Sequence, residues 1–205
     1  MNPFPKMTKE VRSIKDVDII STEKSENEFY VEGYASTYVP TVLFEYDGIE
    51  YKEKIDRNAF NNIDLTDVIF NYNHGGKVLA RTKNKTLYLH IDEKGLFVRA
   101  RLDGTEEGRK MYQEIKGGYI DKMSISFAVE EDSYNNSTNT RTILKLKRLY
   151  DVSAVDIPAY DTTLIYARNN ANLEDIKTRI KDEKDLQFRK LEGCIKITNL
   201  LYGGL

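Results

Sequence analysis

KMSISFAV, residues 122–129, alternates strictly: Met123, Ile125, Phe127 and Val129 fall on one side, Ser124, Ser126 and Ala128 on the other. Period two is the signature of a strand, here predicted to be half-buried with an apolar inner face and hydroxyls outside. A second stretch, LYDVSAVDIPA at 149–159, places Tyr150, Val152 and Ala154 on one face and Asp151 and Ser153 on the other. The polar run DSYNNSTNT at 132–140 reads as a loop joining the two, so an antiparallel pair is expected. Such a pair puts Ser124 and Asp151 on a common polar surface. Upstream, Val68–Tyr72 reads as a buried strand that ends in NYNHGG, 71–76, with His74 at the mouth of a Gly-Gly turn.

A hydroxyl, an imidazole and a carboxylate are the three groups that acyl transfer by serine requires: nucleophile, base and orienter of the base. Each has a rival. Ser126 lies two residues from Ser124 on the same face, His90 competes with His74, and Asp156 competes with Asp151 from the opposite face. No GxSxG elbow marks either serine. Spacing alone favours the ordinary reading, in which these are strand and turn residues with no chemistry.

Composition narrows the field. The chain has 205 residues, 40% of them hydrophobic, with 14 Tyr and 8 Phe, enough for a packed core. A net charge of −2 offers no basic surplus for phosphate backbones, which argues against nucleic-acid binding. One Cys excludes an intramolecular disulfide and fits a reducing compartment. One Cys and two His are too few for the usual structural zinc site, and no Walker or GxGxxG loop is present, so no cofactor or metal is called for. Without a leader-like N-terminus or an apolar run near spanning length, the expectation is a soluble cytoplasmic protein with no membrane partner.

Residues 1–10 carry two prolines and are expected to be loose, with a domain over 11–167 and a charged helical tail over 168–205. The polar cluster STEKSEN, 21–27, is read as the turn of a hairpin into Phe29–Tyr38, and Gly33 as a bulge or close backbone approach. Asp47-Gly48 predicts a hairpin turn, 55–64 one or two helical turns begun by Asp56, and 86–102 a hairpin. Asp103 or Thr105 caps a helix over Glu106–Lys116 that stops at Gly117-Gly118. In the tail, Leu173, Ile176, Ile180 and Lys184 follow helical spacing: a partner helix or processed segment, or simply a solvated helix packed by one stripe.

The ordered set FYVEGYAST, IDRNAF, VIFNYNHGGKVLA, GLFVRARLDGTEEGRKMYQEIKGGYIDKMSISF and LYDVSAVDIPAYDTT, spanning about residues 29–167, resembles the prohead maturation proteases of tailed bacteriophages. That family is similar in fold to the herpesvirus assemblin proteases. The resemblance implies a mainly β, α+β fold: an antiparallel β-barrel surrounded by a few helices. It also implies a serine endopeptidase with His74 as base after Asn73, Ser124 as nucleophile and Asp151, before Val152-Ser153, as third member. Three positions depart from the family pattern. Ser126 stands where Gly is common, Asn58 where Gly precedes Ala59-Phe60, and Asp151 where Glu is more frequent.

By the same resemblance, the substrates are scaffold and major capsid protein segments and the protease's own tail. Cleavage takes place inside a procapsid in the host cytoplasm, under control by self-association or concentration. The alternatives are a catalytically inactive β-barrel module that binds capsid or scaffold, favoured by Ser126, and an unrelated β-rich binding domain.

Overall fold

A computed structural model describes residues 3–4, 9–25, 28–156 and 175–190. Among them, eleven strands form two sheets around one main core. The strands are Glu10–Asp18 (β1), Ile20–Ser25 (β2), Glu28–Thr37 (β3), Thr41–Tyr46 (β4), Ile49–Ile55 (β5), Ile69–Tyr72 (β6), Gly75–Arg81 (β7), Leu87–Ile91 (β8), Gly95–Arg101 (β9), Lys122–Asn135 (β10) and Thr140–Val155 (β11). One sheet runs β1-β10-β11-β5-β4, with β6 joined to β11 and β7 joined to β6; the other runs β2-β3-β9-β8.

The fold is mainly β, as expected, but the described strands make no closed barrel and the pairing is mixed. One edge of the long β11 pairs antiparallel with β10. The other pairs parallel with β5 at Thr140–Ile143 and with β6 at Asp151–Ala154. A strand of 16 residues is long enough to serve two partners end to end. That division sets β6, and the turn that follows it, beside the end of β11 that carries Asp151.

Local sequence accounts for most elements. Asp47 and Gly48 both take positive φ, 56° and 70°, the two-residue turn whose twist suits a hairpin. The helix Glu106–Lys116 (α1) is capped by the Thr105 hydroxyl, which accepts from the Gly108 N–H at 3.0 Å. Its Met111, Tyr112 and Ile115 are buried, and Tyr112 stacks on Phe29.

Several expectations are corrected. STEKS is strand β2 rather than a turn, because it pairs with β3 from Ile20↔Glu32 to Ser25↔Glu28. The break in β3 lies at Ala35, between Tyr34 and Ser36, rather than at Gly33. Residues 56–63 form successive i→i+3 turns, led by an Asp56 carboxylate that accepts from the Asn58 N–H at 2.9 Å, and no helix. The supposed loop 132–140 shrinks to residues 136–139, since β10 and β11 keep pairing out to Asn135↔Thr140.

Within the stretch expected to be loose, Phe4 and Glu10 are buried. Residues 175–190 are helical (α2), and Ile176 and Ile180 join Phe4, Leu43, Phe44 and Tyr51 in a second apolar cluster. Lys184 meets Asp47 at 2.8 Å, while Leu186 and Phe188 are exposed. One stripe packs on the chain's own β4–β5 hairpin. Leu173 and the remainder of the tail lie outside the described residues.

A buried ionic network ties β1 into the sheet. The Arg141 guanidinium donates to Glu10 (2.7 and 2.9 Å), Glu53 (2.9 Å) and Asp132 (2.6 Å). Arg12 donates to Glu10 at 2.6 Å and to both Glu53 oxygens at 2.5 and 3.0 Å. Burial pushes the Glu10 carboxyl up, but Arg12 and Arg141 outweigh it and hold its pKa below the usual range. A carboxylate with a lower pKa folded than unfolded stabilises above the unfolded value and loses that contribution as pH falls through the folded one. Stability is therefore expected to drop between about pH 5 and the folded value below the ordinary 4.3 for Glu. Glu10→Gln should cost about 1.5–3 kcal/mol at pH 7 and flatten this acid slope. Urea midpoints at pH 7 and pH 4 for both proteins check the pair of expectations.

Candidate active site

The β6–β7 hairpin closes with Tyr72 opposite Gly75, so its two-residue turn is Asn73-His74 rather than Gly75-Gly76, which begin β7. Both turn residues are left-handed, at φ 48° and 57°. Such a turn favours Asn first and Gly second, so an imidazole in the second place costs about 1 kcal/mol. Two hydrogen bonds to β11 hold it: Asn73 N–H to the Ala154 carbonyl and His74 N–H to Ser153 Oγ, both 3.0 Å.

In that conformation the ring reaches across two strands. His74 Nε2 lies 2.6 Å from Ser124 Oγ on β10, and Nδ1 lies 2.5 Å from Asp151 Oδ1 on β11. The structure brings together the three residues the sequence suggested, from positions 50 and 77 residues apart along the chain. Ser124 is fully buried and Asp151 nearly so; the His74 side chain is 10% exposed. Burial pushes the Asp151 carboxyl up, but the His74 bond and charge, Lys9 and Ser153 outweigh it, leaving the pKa below the ordinary value. An ionised Asp151 assigns the imidazole proton to Nδ1 and leaves the Nε2 lone pair facing Ser124 Oγ. Lys9 Nζ approaches Asp151 Oδ2 at 3.4 Å.

The rival residues are elsewhere. Ser126 pairs with Asp151 across the strands, yet its Oγ is buried with no hydrogen-bond partner among the described residues. Asp156 is exposed and accepts from the Tyr72 hydroxyl at 2.9 Å. His90 is exposed on β8 in the other sheet, its ring stacked with Tyr88.

Two details depart from the sequence reading. The hydroxyl face of β10 is buried like its apolar face: the His74 ring lies on Ser124, and β1 closes the strand's outer edge. Tyr150 does not share a face with Val152 in a regular ladder: Ser126 pairs with Asp151 and Phe127 with Leu149, so Tyr150 is the extra residue of a bulge.

Ser153 and Asn71 complete the constellation; the sequence places Ser153 on the polar face beside Asp151 but gives neither residue a role. Fully buried Ser153 Oγ donates to Asn71 Oδ1 and lies 3.1 Å from both His74 Nδ1 and Asp151 Oδ1. Their available signal was polarity inside apolar runs: Asn71 in VIFNY and Ser153 in DVSAV. Arg12, whose carbonyl accepts from Ser124 Oγ at 3.1 Å, had no local signal at all.

The sequence profile of the caudovirus prohead serine proteases matches residues 15–178, well over half of the chain. The chain belongs to that family. The prohead protease of Enterobacteria phage HK97 is 27% identical over 169 residues, covering 80% of this chain and 72% of the relative. A solved structure, the bacteriophage T4 capsid assembly protease, is similar with a TM-score of 0.44 at 13% identity over 74% of this chain and 98% of its own. No helix among the described residues is long and apolar enough to cross a membrane.

The geometry separates the two serines experimentally. A fluorophosphonate should modify wild type and Ser126→Ala alike but not Ser124→Ala, with the site read by peptide mapping. Ser126→Ala should also be neutral or more stable by about 1 kcal/mol, since it removes a buried hydroxyl without a partner. Label that moves with Ser126 would reassign the nucleophile.

Proposed function

We propose that the protein is an active serine endopeptidase of phage capsid maturation, with Ser124 as nucleophile, His74 as general base and Asp151 as the orienting carboxylate. The observation that carries this reading is the continuous line from Asp151 Oδ1 through the His74 ring to Ser124 Oγ, at 2.5 and 2.6 Å. Ser124 Oγ attacks the peptide carbonyl carbon as its proton passes to Nε2, giving a tetrahedral intermediate and an imidazolium. The imidazolium then protonates the amide nitrogen, the C–N bond breaks and the amine leaves. Water repeats the sequence on the ester and frees the serine. Asp151 stays ionised throughout, holding the tautomer and stabilising the imidazolium. Replacing the family's more frequent Glu by Asp shortens the side chain by one methylene, and the 2.5 Å contact closes the gap.

Family membership and the named relatives support the remainder of the reading. The substrates are segments of the scaffold and major capsid protein and this chain's own tail over 168–205, cleaved inside the procapsid. Self-association there would limit cleavage to assembled shells. Kinship with the herpesvirus assemblin proteases belongs to the same proposal; the mainly antiparallel sheets flanked by helices are compatible with it.

Co-expression with the neighbouring capsid and scaffold genes tests the reading by intact mass. Wild type should trim the capsid substrate and its own tail; Ser124→Ala and His74→Ala should leave both at full length. Asp151→Asn should slow trimming by on the order of 10²–10⁴-fold. Intact substrates in wild type, with procapsids formed, would point to a capsid-binding module without catalysis.

A further inference from the structure

The nucleophile is sealed from both sides of its own strand. At Ser124, β10 has Ser153 of β11 opposite one edge and Ser13 of β1 opposite the other. Ser124 is fully buried. A peptide to be cleaved must bring its carbonyl to about 3–3.5 Å from the serine oxygen. The carbonyl recorded at that distance belongs to the chain itself: Arg12 O, 3.1 Å from Ser124 Oγ. The contact is a hydrogen bond to the oxygen, not an approach to the carbon, and a hydroxyl proton spent on Arg12 is withheld from His74.

We propose that β1 occupies the substrate site: an extended peptide segment joins the edge of β10 in place of β1, at the position of the Arg12 peptide but turned so that its scissile carbonyl carbon, not its oxygen, faces Ser124 Oγ. The inference rests on the serine-peptidase reading and adds where that substrate binds and what it must displace. β11 cannot be the strand that yields, because it carries Asp151 and Ser153. β1 is the edge strand, and its continuous register on β10 covers Glu10 to Ser13 before shifting ahead of Asp18↔Lys122. Main-chain pairing of this kind accepts many sequences, as strand addition does elsewhere.

The ion network sets how firmly β1 is held and leaves its departure feasible. Arg12 and Glu10 anchor β1 to Glu53 and Arg141, and Lys9 adds a contact to Asp151. When β1 leaves, Arg141 keeps Glu53 at 2.9 Å and Asp132 at 2.6 Å, so its buried guanidinium retains carboxylate partners. Losing both would leave an uncompensated buried charge.

A reversible lock on β1 tests the proposal. Val11 lies directly opposite Ser126, a cross-strand spacing within disulfide reach. Val11→Cys with Ser126→Cys, in a full-length Cys194→Ser background, is compared oxidised and reduced. Modification of Ser124 by a fluorophosphonate should be at least about tenfold slower in the oxidised form and recover on reduction. Hydrogen exchange at the amides of residues 122–127 should show the same contrast. Equal fluorophosphonate rates in the two forms overturn the displacement of β1 while leaving the serine reading intact. If neither form is modified, the serine reading fails, and exchange decides the strand: equal protection overturns the proposal, faster exchange in the reduced form supports an edge that opens.

Discussion

The fold depends on one charged contact taken out of water: Arg141 held by Glu10, Glu53 and Asp132. These four residues belong to β11, β1, β5 and β10, so one guanidinium fixes the mutual placement of four strands. Buried ion pairs recover little net energy, since desolvation offsets the attraction. Their value here is geometric. An apolar side chain at 141 could fill the space, but it would not specify which edge of the sheet β1 must take. Phe4, whose ring lies 5.4 Å from the guanidinium carbon, covers the same group from the N-terminal side.

From that constraint the site follows in order. β1 on one edge of β10 and β11 on the other close both its edges, and the His74 ring lies on the Ser124 hydroxyl. β11 then carries β6 on its far edge, and β6 delivers the Asn73-His74 turn. Ser153 receives the turn's backbone N–H while lying against the ring and the carboxylate, so one hydroxyl couples turn, imidazole and carboxylate. The imidazole is placed by backbone geometry first and by side-chain bonds second.

Much of this was legible in the sequence. The alternation of KMSISFAV and DVSAV gave the strands, Asp47-Gly48 a hairpin turn and Thr105 the cap of α1, because each signal is local. What stayed hidden is non-local or ambiguous. STEKS carries turn-type residues yet pairs as β2, so tertiary pairing overrode propensity. The partner on the outer edge of β10 is β1, more than a hundred residues away in the chain, and no periodicity reports it. The division of β11 between two parallel partners is likewise a property of the assembled sheet. His74 was found by the apolar run before it, but the turn was placed two residues late, because Gly-Gly is the stronger turn signal than Asn-His.

The order of assembly carries a consequence of its own. Ser124 meets Arg12 across 112 residues and Arg141 meets Glu10 across 131. Contacts of such separation form late and slowly, since loop closure precedes any reward. A chain emerging from the ribosome presents Ser124 before Asp151, and β1, made first, must wait for β10 before it can pair. Local hairpins such as β8–β9 can form early, while the line from Asp151 through His74 to Ser124 and the pairing of β1 on β10 both need long-range closure and form late. Both features therefore wait on the same event, the seating of β10 between β1 and β11.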